Sequence, residues 1–395
     1  MNKRYLTPLY DMGNFNKIDI HFAGFIAMLA KENDPDIGLA SALVSQVTGD
    51  GDVCLDLRTY AGKTISSQEE GGSKISCPEL PIWRAKLIAC PAIGPPGEKR
   101  PLILDQKNRL YLFRYWEYEH NLVEAIQKKA QRAFKNLDYG ILKESLRRLF
   151  PDVPTDRPDR QKLGAIVAAL RNLCVISGGP GTGKTTTIAQ ILAVLLEQSR
   201  NQKLRIYLAA PTGKASARMA EAIQAAKQKL NCHSHIKDLI PREASTIHRL
   251  LKSIPDSPYF YHNAERPLPA DLVVVDEASM VDLALMSKLV MALSDDTRLV
   301  LVGDKDQLAS VEAGSVLGDI CGHNAKDGFA NDFYQELDST SAEKFDPIVR
   351  QCHEGRGLHD CIVLLKNSYR FAAESGIGGV NHAVNQGNFE SALSL

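Results

Sequence analysis

The chain has 395 residues, of which 44% are hydrophobic, and its 47 lysines and arginines balance its 47 aspartates and glutamates. This length allows two or three domains with full cores, and the balance excludes a chain coated in positive charge. The N-terminal stretch MNKRYLTPLYDMGNF has no apolar signal segment, no apolar run is as long as a membrane span, and the eight cysteines include no C-x-x-C pair. We therefore expect a cytoplasmic protein with reduced thiols and no membrane contact.

Cysteine and histidine residues cluster at 232–235 and at 352–361. Neither cluster has the paired ligand spacing of a zinc ribbon or a zinc finger. We therefore expect these side chains to lie near loops and helix ends without a metal ion.

The first 116 residues have the pattern of a small α/β domain. Residues 17–48 contain two short amphipathic segments that predict helices, and VCLDL at 53–57 could form a strand. Residues 61–79 are polar and predict a surface loop. The stretch PLILDQKNRLYLFRYW at 101–116 has two apolar runs around a polar turn, which is typical of a β-hairpin.

A predicted helical connector at 117–150 follows, with basic residues along one side. These residues are Lys128, Lys129, Arg132, Lys135, Lys143, Arg147 and Arg148. A charged helix face is usually only solvated, but a basic stripe can also contact DNA or a partner. The proline-rich stretch PDVPTDRPDR at 151–160 marks a domain boundary.

From residue 161 the pattern changes to apolar runs that alternate with helical segments. The runs are LCVIS, LRIYLAA, DLVVVD and RLVLVGD. Short, uninterrupted apolar runs of this kind predict strands that are buried on both faces. The second half of the chain is therefore predicted to be an α/β domain with a parallel sheet covered by helices.

The stretch ISGGPGTGKTTT at 176–187 fits the phosphate-loop pattern G-x-x-x-x-G-K-[ST] between a predicted strand and a predicted helix. The candidate nucleotide-binding residues are Gly178, Gly179, Pro180, Gly181, Thr182, Gly183, Lys184, Thr185 and Thr186. Glycines let the backbone N–H groups turn toward phosphate oxygens, and the helix N-terminus adds partial positive charge. We expect Lys184 to reach the β and γ phosphates of ATP and the hydroxyl of Thr185 to bind Mg²⁺.

A second part of the same site is predicted at DLVVVDEASM, residues 271–280. An acid at the carboxyl end of a parallel strand lies beside the phosphate loop, so Asp276 is expected to hold Mg²⁺, usually through water. Glu277 is expected to orient and deprotonate the attacking water. A pair of surface acids would explain poorly why both follow four buried apolar residues. The two motifs together predict ATP hydrolysis.

Four further stretches resemble superfamily 1 DNA helicases of the 5′-to-3′ type, and within them the RecD family. They are APTGKASARM at 210–219, STIHRLL at 245–251, LVLVGDKDQLASVEAGSVLGDI at 299–320 and LKNSYRF at 365–371. The resemblance begins at about residue 17. It implies a P-loop RecA-like parallel-sheet domain at 151–330, preceded at 1–116 by a smaller α/β domain that docks partners.

The resemblance also implies roles at matching positions. Gln161 would contact adenine, and Gln307 would sense the γ-phosphate and couple it to DNA. Arg370 would be an arginine finger from a second motor domain. The positions that would line a channel for single-stranded DNA are Thr212, Gly213, Lys214 and His248. Their side chains and backbone suit phosphate contacts, although Lys214 and His248 could instead serve helix-start and core-edge packing.

The family resemblance implies an ATP-dependent 5′-to-3′ DNA helicase subunit of exodeoxyribonuclease V. Such a subunit acts beside RecB and RecC on the 5′-ended single strand, in double-strand break repair, recombination and DNA degradation. One alternative is a stand-alone helicase of this family that works without RecB and RecC. Another is a nucleotide-binding interaction subunit without motor activity. RNA as the track is a further alternative, because nothing in these motifs reads the 2′-hydroxyl.

The sequence departs from the family pattern after SYRF, since the later helicase motifs are not found in the few residues that follow Arg370. We therefore expect residues 331–395 to be the start of an incomplete second RecA-like domain. ATP lies between two such domains in this kind of motor. We accordingly expect this chain to bind nucleotide better than it hydrolyses it.

Overall fold

The computed structural model describes residues 9, 13–66, 74–134, 137–151, 159–200, 202–307, 310, 312–322, 328–340, 357–366, 379–380, 383–384 and 387–394. The chain divides into two compact units. The first contains Met1–Asn121, Asp282–Ala284 and Val311–Gly314, and the second contains Leu122–Val281, Leu285–Ser310 and Ser315–Leu395. Within the described residues, no helix has the length and apolar character needed to cross a membrane.

Helices α1 (Lys17–Ala30) and α2 (Pro35–Gly49) pack against each other in the first unit, which confirms the two predicted helices. The carboxylate of Asp34 caps α2 by accepting a 2.7 Å hydrogen bond from the N–H of Asp36. Proline at the first helical position adds to this start signal, because its fixed φ suits a helix and its missing N–H is not needed there.

The sheet of the first unit has four strands in the order β1 (Leu55–Asp56), β6 (Arg109–Leu112), β5 (Leu102–Leu104) and β4 (Ile93–Gly94). Strands β5 and β6 are antiparallel, which confirms the predicted hairpin. Helices α3 (Leu57–Tyr60) and α4 (Leu80–Ala89) complete the fold.

The polar stretch at 61–79 differs from the predicted surface loop. Strands β2 (Thr64–Ser66) and β3 (Lys74–Ser76) form an antiparallel ladder in which Ile65 lies opposite Ile75. Both isoleucines are partly buried and pack against the core of the unit. A single apolar residue on each short strand is a weak periodic signal, and for that reason sequence reasoning missed the pair.

Two helices fill the predicted helical connector, namely α5 (Phe113–Gln131) and α6 (Tyr139–Leu149). The predicted basic stripe is largely taken up by ion pairs. Lys128 pairs with Asp295 at 2.7 Å, and Arg148 pairs with Glu197 at 2.5 Å. Among the described members of the stripe, these contacts favour a structural role over contact with DNA.

The sheet of the second unit has six parallel strands. Their order is β12 (Ile362–Leu365), β7 (Leu173–Gly178), β11 (Arg298–Gly303), β10 (Leu272–Val275), β8 (Ile206–Ala210) and β9 (Ser245–Thr246). Strands β7, β10 and β11 are buried along their whole length, as their uninterrupted apolar runs predict. This arrangement confirms the predicted α/β fold with a parallel sheet.

Helices accompany this sheet. They are α7 (Arg160–Leu170), α8 (Lys184–Gln198), α9 (Gly213–Lys229), α10 (Ser234–Leu239), α11 (Ile247–Leu251), α12 (Leu283–Met291), α13 (Val316–Cys321) and α14 (Asn331–Thr340), with α15 (Phe389–Ser394) near the end of the chain. Helix α8 lies in the main hydrophobic core, where most of its side chains are fully buried. The core therefore fixes the position of the helix that begins at the phosphate loop.

Strand β12 extends the sheet next to β7, although the sequence analysis had assigned residues 331–395 to a second motor domain. Val363 and Leu365 are buried in the same core as β7. Four consecutive apolar residues at 362–365 can pair with the otherwise open edge of β7, and covering that edge removes unpaired backbone groups. Residues 362–365 therefore belong to the six-stranded sheet that contains the phosphate loop.

Candidate functional site

The predicted site residues meet at one edge of the six-stranded sheet. Because all its strands are parallel, the loops that follow β7, β8, β10 and β11 leave from the same carboxyl edge. These loops contain the phosphate loop, Thr212, Asp276 and Gln307. The topology thus brings together residues that are up to 130 positions apart in the chain.

The phosphate loop has a backbone that requires glycine. Gly181 and Gly183 have φ angles of 80° and 84°, in the left-handed region that other residues rarely adopt. A Cβ atom on Gly178 would lie 2.6 Å from Oγ1 of Thr182 and 2.8 Å from Cβ of Leu365. The glycine at 178 is therefore needed because β12 and the loop itself approach the backbone closely.

Lys184 begins α8 and folds back over the loop. Its ammonium donates to the carbonyl oxygens of Gly178 and Gly179, at 2.6 and 3.2 Å. Both acceptors belong to the same short loop, so the positive charge is held above the cradle that a phosphate would fill. Thr185 and Thr186, the next residues of the helix, line a cavity beside the phosphate loop.

Asp276 and Glu277 follow directly on strand β10. The pKa of Asp276 is raised to about 6, chiefly by burial and in part by the nearby charge of Glu277, against the lowering effect of the Glu277 N–H and of Lys184. That N–H donates to Asp276 Oδ1 at 2.9 Å. Glu277 has a left-handed backbone with φ of 52°, which is strained for a residue with a side chain.

A cavity of about 900 Å³ opens beside the phosphate loop. The cavity is lined by the loop, by residues of the first two turns of α8 as far as Gln190, by residues of α9, and by Arg148, Leu149 and Pro151. This volume is in the range of pockets that enclose a cofactor. The combination of a phosphate cradle and a large adjoining cavity suits a nucleoside triphosphate.

Gln161 contacts the phosphate loop, and Gln307 lies in the loop that follows β11. Nε2 of Gln161 donates to the carbonyl of Thr182 at 3.0 Å, so this side chain supports the loop in the structure. Gln307 is exposed, and its N–H donates to the carbonyl of Asp304 at 3.2 Å. Contacts of these two residues with adenine and with the γ-phosphate stay predictions. Arg370 lies outside the described residues.

The predicted DNA-binding residues occupy two neighbouring loops. Thr212 caps α9 by accepting a hydrogen bond from the N–H of Ala215 at 3.2 Å, and Gly213 begins that helix in open space. Lys214 and His248 are exposed. Strands β8 and β9 pair Ala210 with Thr246, which sets the two loops side by side. Contact with DNA remains a prediction for all four residues.

An aromatic and basic segment at 252–266 was not predicted. Tyr259 is 71% exposed and Tyr261 is 46% exposed. The ammonium of Lys252 and the guanidinium of Arg266 lie 5.2 and 5.6 Å from the ring centre of Tyr261. The ring of His248 lies 5.6 Å from that of Phe260 at the base of the segment. The sequence signal that could have indicated this segment is the presence of two tyrosines between basic residues.

Among the described residues, no group of histidine, cysteine and acidic side chains could hold a metal ion. In the cluster at 232–235, the rings of His233 and His235 stack with their centres 5.6 Å apart. Part of the cluster at 352–361 falls outside the described residues.

Two protein families match the chain. The family described as RecBCD enzyme subunit RecD, N-terminal domain, matches residues 11–111, and the AAA domain family matches residues 161–313. The chain is 36% identical to RecBCD enzyme subunit RecD of Mycolicibacterium smegmatis, over 95% of its own length and 59% of the relative. It is 37% identical to the Haemophilus influenzae protein of the same name, over 99% of its own length and 63% of the relative.

A further relative matches only part of the chain. The ATP-dependent RecD2 DNA helicase of Deinococcus radiodurans is 41% identical over 36% of this chain and 17% of that protein. The similarity to the two RecD subunits instead reaches almost the whole chain, which spans about 60% of the length of those curated relatives.

Proposed function

This chain belongs to the RecD family, with which it shares the N-terminal domain as well as the ATPase domain, and on that premise we propose an ATP-dependent DNA helicase subunit. The observation that carries the proposal is the site at the carboxyl edge of the parallel sheet. There the phosphate loop and Lys184 line a cavity of about 900 Å³. The acidic pair Asp276–Glu277 follows β10 at the same edge, where Asp276 is close enough to Lys184 for the charge of the lysine to lower its pKa.

The chemistry of this site follows from its side chains. The loop N–H groups and Lys184 bind and orient the phosphates of ATP. Thr185 and Asp276 would hold Mg²⁺, and the donor set fits, because a hydroxyl and a buried carboxylate with a raised pKa gain most from a nearby cation. When bound, Mg²⁺ neutralises charge on the transferred phosphoryl group. Glu277 orients water for attack on the γ-phosphate and accepts its proton.

Single-stranded DNA is the proposed track, moved in the 5′-to-3′ direction. The starts of α9 and α11 offer a hydroxyl, an open glycine, a lysine and a histidine to the phosphate backbone. Tyr259 and Tyr261 offer ring faces to bases, and stacking of this kind tolerates any sequence. RecB and RecC are the proposed partners, in cytoplasmic repair and degradation of broken DNA.

A stand-alone helicase without RecB and RecC is the alternative within the same chemistry. The match of residues 11–111 to the N-terminal domain of RecD favours the partner-bound form. The RecD2 helicase, in contrast, is similar over only 36% of the chain. Copurification of RecB and RecC with the full-length protein discriminates between the two.

The decisive experiment measures ATP hydrolysis by the chain with and without a single-stranded DNA oligonucleotide, beside Glu277→Gln. We expect stimulation by DNA in the wild type and loss of hydrolysis, with nucleotide binding retained, in Glu277→Gln. Glu243→Gln, an exposed acid away from the cavity, is the matched control and should behave as the wild type. Hydrolysis that survives in Glu277→Gln would contradict the assignment of the general base. Nucleotide binding without DNA-sensitive turnover would favour an interaction subunit.

A further inference from the structure

Ser177 links the phosphate loop to the loop that contains Gln307. It lies on β7 directly before Gly178, and it is opposite Gly303 in the register between β7 and β11. Its hydroxyl oxygen accepts a hydrogen bond of 2.9 Å from the N–H of Lys305. Ser177 is only 2% exposed, so water does not compete for this bond.

The segment Asp304–Gln307 is a closed turn. Asp304 is 4% exposed, its carboxylate accepts from the N–H of Asp306 at 3.2 Å, and its carbonyl accepts from the N–H of Gln307 at 3.2 Å. The bond from Lys305 to Ser177 therefore anchors a turn whose other backbone bonds are internal. Movement of that anchor changes where the exposed side chain of Gln307 points.

The other side of the Ser177 hydroxyl faces helix α13. It lies close enough to the fully buried thiol of Cys321 to counteract part of the rise in the pKa of that thiol. Burial raises the pKa of Cys321 to about 11, so the thiol stays protonated at neutral pH. The Ser177 oxygen thus accepts from Lys305 while its own proton is available to the sulfur, which fixes the rotamer of the side chain.

We propose that Ser177 is a positioning residue that sets Gln307 against the γ-phosphate by anchoring the Asp304–Gln307 turn to the base of the phosphate loop. This inference rests on the proposed function, because it takes the cavity to be the ATP site and Gln307 to be its γ-phosphate sensor. The neighbouring residue Gly178 offers its carbonyl to Lys184. Two consecutive residues of β7 therefore position both the ammonium of Lys184 and the side-chain amide of Gln307.

Removal of the hydroxyl should affect ATP and ADP differently. In Ser177→Ala the N–H of Lys305 loses its acceptor, and the turn is no longer anchored. ADP has no γ-phosphate, so its affinity should stay within about twofold. The affinity for a non-hydrolysable ATP analogue should fall about fivefold, which is in the range of the net contribution of one ordinary hydrogen bond.

The test is an equilibrium titration of the 395-residue chain with fluorescent ADP and a fluorescent non-hydrolysable ATP analogue, in the presence of Mg²⁺. The variants are Ser177→Ala, Gln307→Ala and the double variant. We expect each single variant to lower the ratio of analogue affinity to ADP affinity about fivefold. The double variant should show the same loss of about fivefold and not about twenty-five-fold, because both changes remove one contact.

Two controls separate positioning from general damage. Ser177→Thr keeps the hydroxyl and should retain the wild-type ratio. If Ser177→Ala does not fold, Ser177→Cys takes its place, because sulfur is a weaker acceptor than oxygen and should also lower the ratio. Ser145→Ala removes another buried serine hydroxyl, one that donates to Glu197 away from the turn, and should leave the ratio unchanged.

Equal weakening of ADP and of the analogue in Ser177→Ala would overturn the inference, and so would multiplying effects in the double variant. A wild-type chain that binds both nucleotides with a ratio insensitive to Ser177→Ala refutes this inference alone. A wild-type chain that binds neither nucleotide refutes the proposed function as well.

Discussion

The two edges of the six-stranded sheet both bury charge, but they compensate it in opposite ways. At the amino edge, three buried cations are matched by groups of the protein itself. At the carboxyl edge, a lysine lines a large cavity and a buried acid lies near that lysine. The comparison separates charges that stabilise the fold from charges that are proposed to bind a ligand.

The amino edge is built from Lys129, Arg171 and Arg298. Lys129 donates to the carbonyls of Ser294 and Thr297 at 2.7 and 2.9 Å, and burial lowers its pKa to about 8. The guanidinium of Arg171 lies 4.2 Å from the ring centre of Phe333, and that of Arg298 lies 3.7 Å from the ring centre of Phe134. Arg171 and Arg298 lie at the starts of β7 and β11, and Lys129 connects the end of helix α5 to the segment before β11.

The carboxyl edge lacks this degree of internal compensation. Asp276 is buried enough for its pKa to rise to about 6, which means that the protein favours its neutral form. Lys184 bonds only to loop carbonyls in the contacts described above, although ionised partners give the stronger hydrogen bonds. Phosphate and Mg²⁺ would supply the missing charges at both residues.

The largest expected effect tests the carboxyl edge. Lys184→Ala should weaken ATP-analogue binding by about 100-fold or more, since it removes charge-assisted contacts worth about 3 kcal/mol. The thermal midpoint should change little, because only contacts to loop carbonyls are lost. Nucleotide titration and calorimetry on the same sample check both points. A variant that melts early while it still binds nucleotide would break the comparison.

At the amino edge the opposite result is expected. Arg171→Ala leaves Glu336, its 3.0 Å partner, without its cation and removes the contact with Phe333, so the free energy of unfolding should fall by about 3 kcal/mol. Chemical denaturation measures this change. Nucleotide affinity of the folded fraction should be unchanged. Arg205→Ala, which breaks the more exposed pair with Asp271, is the control and should leave the free energy of unfolding nearly unchanged.

Asp276→Asn should make the protein more stable and less able to use Mg²⁺. The raised pKa means that the native state favours protonated Asp276, so its stabilising contribution is present below pH 3.8 and is lost as pH rises through about 6. At pH 7.5 the asparagine variant should therefore exceed the wild type by about 2 kcal/mol in free energy of unfolding. Near pH 4 this difference should vanish.

Denaturant titrations of both proteins across this pH range check the sign. Magnesium-dependent nucleotide affinity should fall in Asp276→Asn at every pH and should fall in the wild type as the pH drops below 6. An asparagine variant that is less stable at pH 7.5 would show that Asp276 is compensated internally, like the cations of the amino edge.

Much of the carboxyl edge could be predicted from the sequence, because its chemistry is local. The phosphate loop and the run that ends in Asp276 each contain their whole signal within about ten residues, and parallel strands then place both at one edge. The buried runs of β7, β10 and β11 were predictable for the same reason, since neither face of such a strand needs polar residues.

The remaining features depend on contacts between distant segments. Ile362–Leu365 could have been a strand of any sheet, and only its pairing with β7 assigns it to this one. Ser177 is an ordinary serine in the sequence, and its bond to Lys305 spans 128 positions. The compensation of Arg171 by Glu336 and Phe333 likewise becomes visible only in three dimensions.

The smallest expected effect tests whether the segment at 252–266 binds DNA. If it does, its exposed side chains, like those of the carboxyl edge, contribute to ligand binding and not to stability. Tyr259 is largely exposed, so Tyr259→Ala should leave the thermal midpoint within about 1 °C. If its ring stacks on a base, affinity for a single-stranded oligonucleotide should fall about fivefold, at the low end of the energy of such stacking. Tyr259→Phe keeps the ring face and should bind as the wild type. Fluorescence anisotropy at fixed salt measures all three proteins. Equal affinity of Tyr259→Ala and Tyr259→Phe would exclude a stacking contact between DNA and the ring of Tyr259.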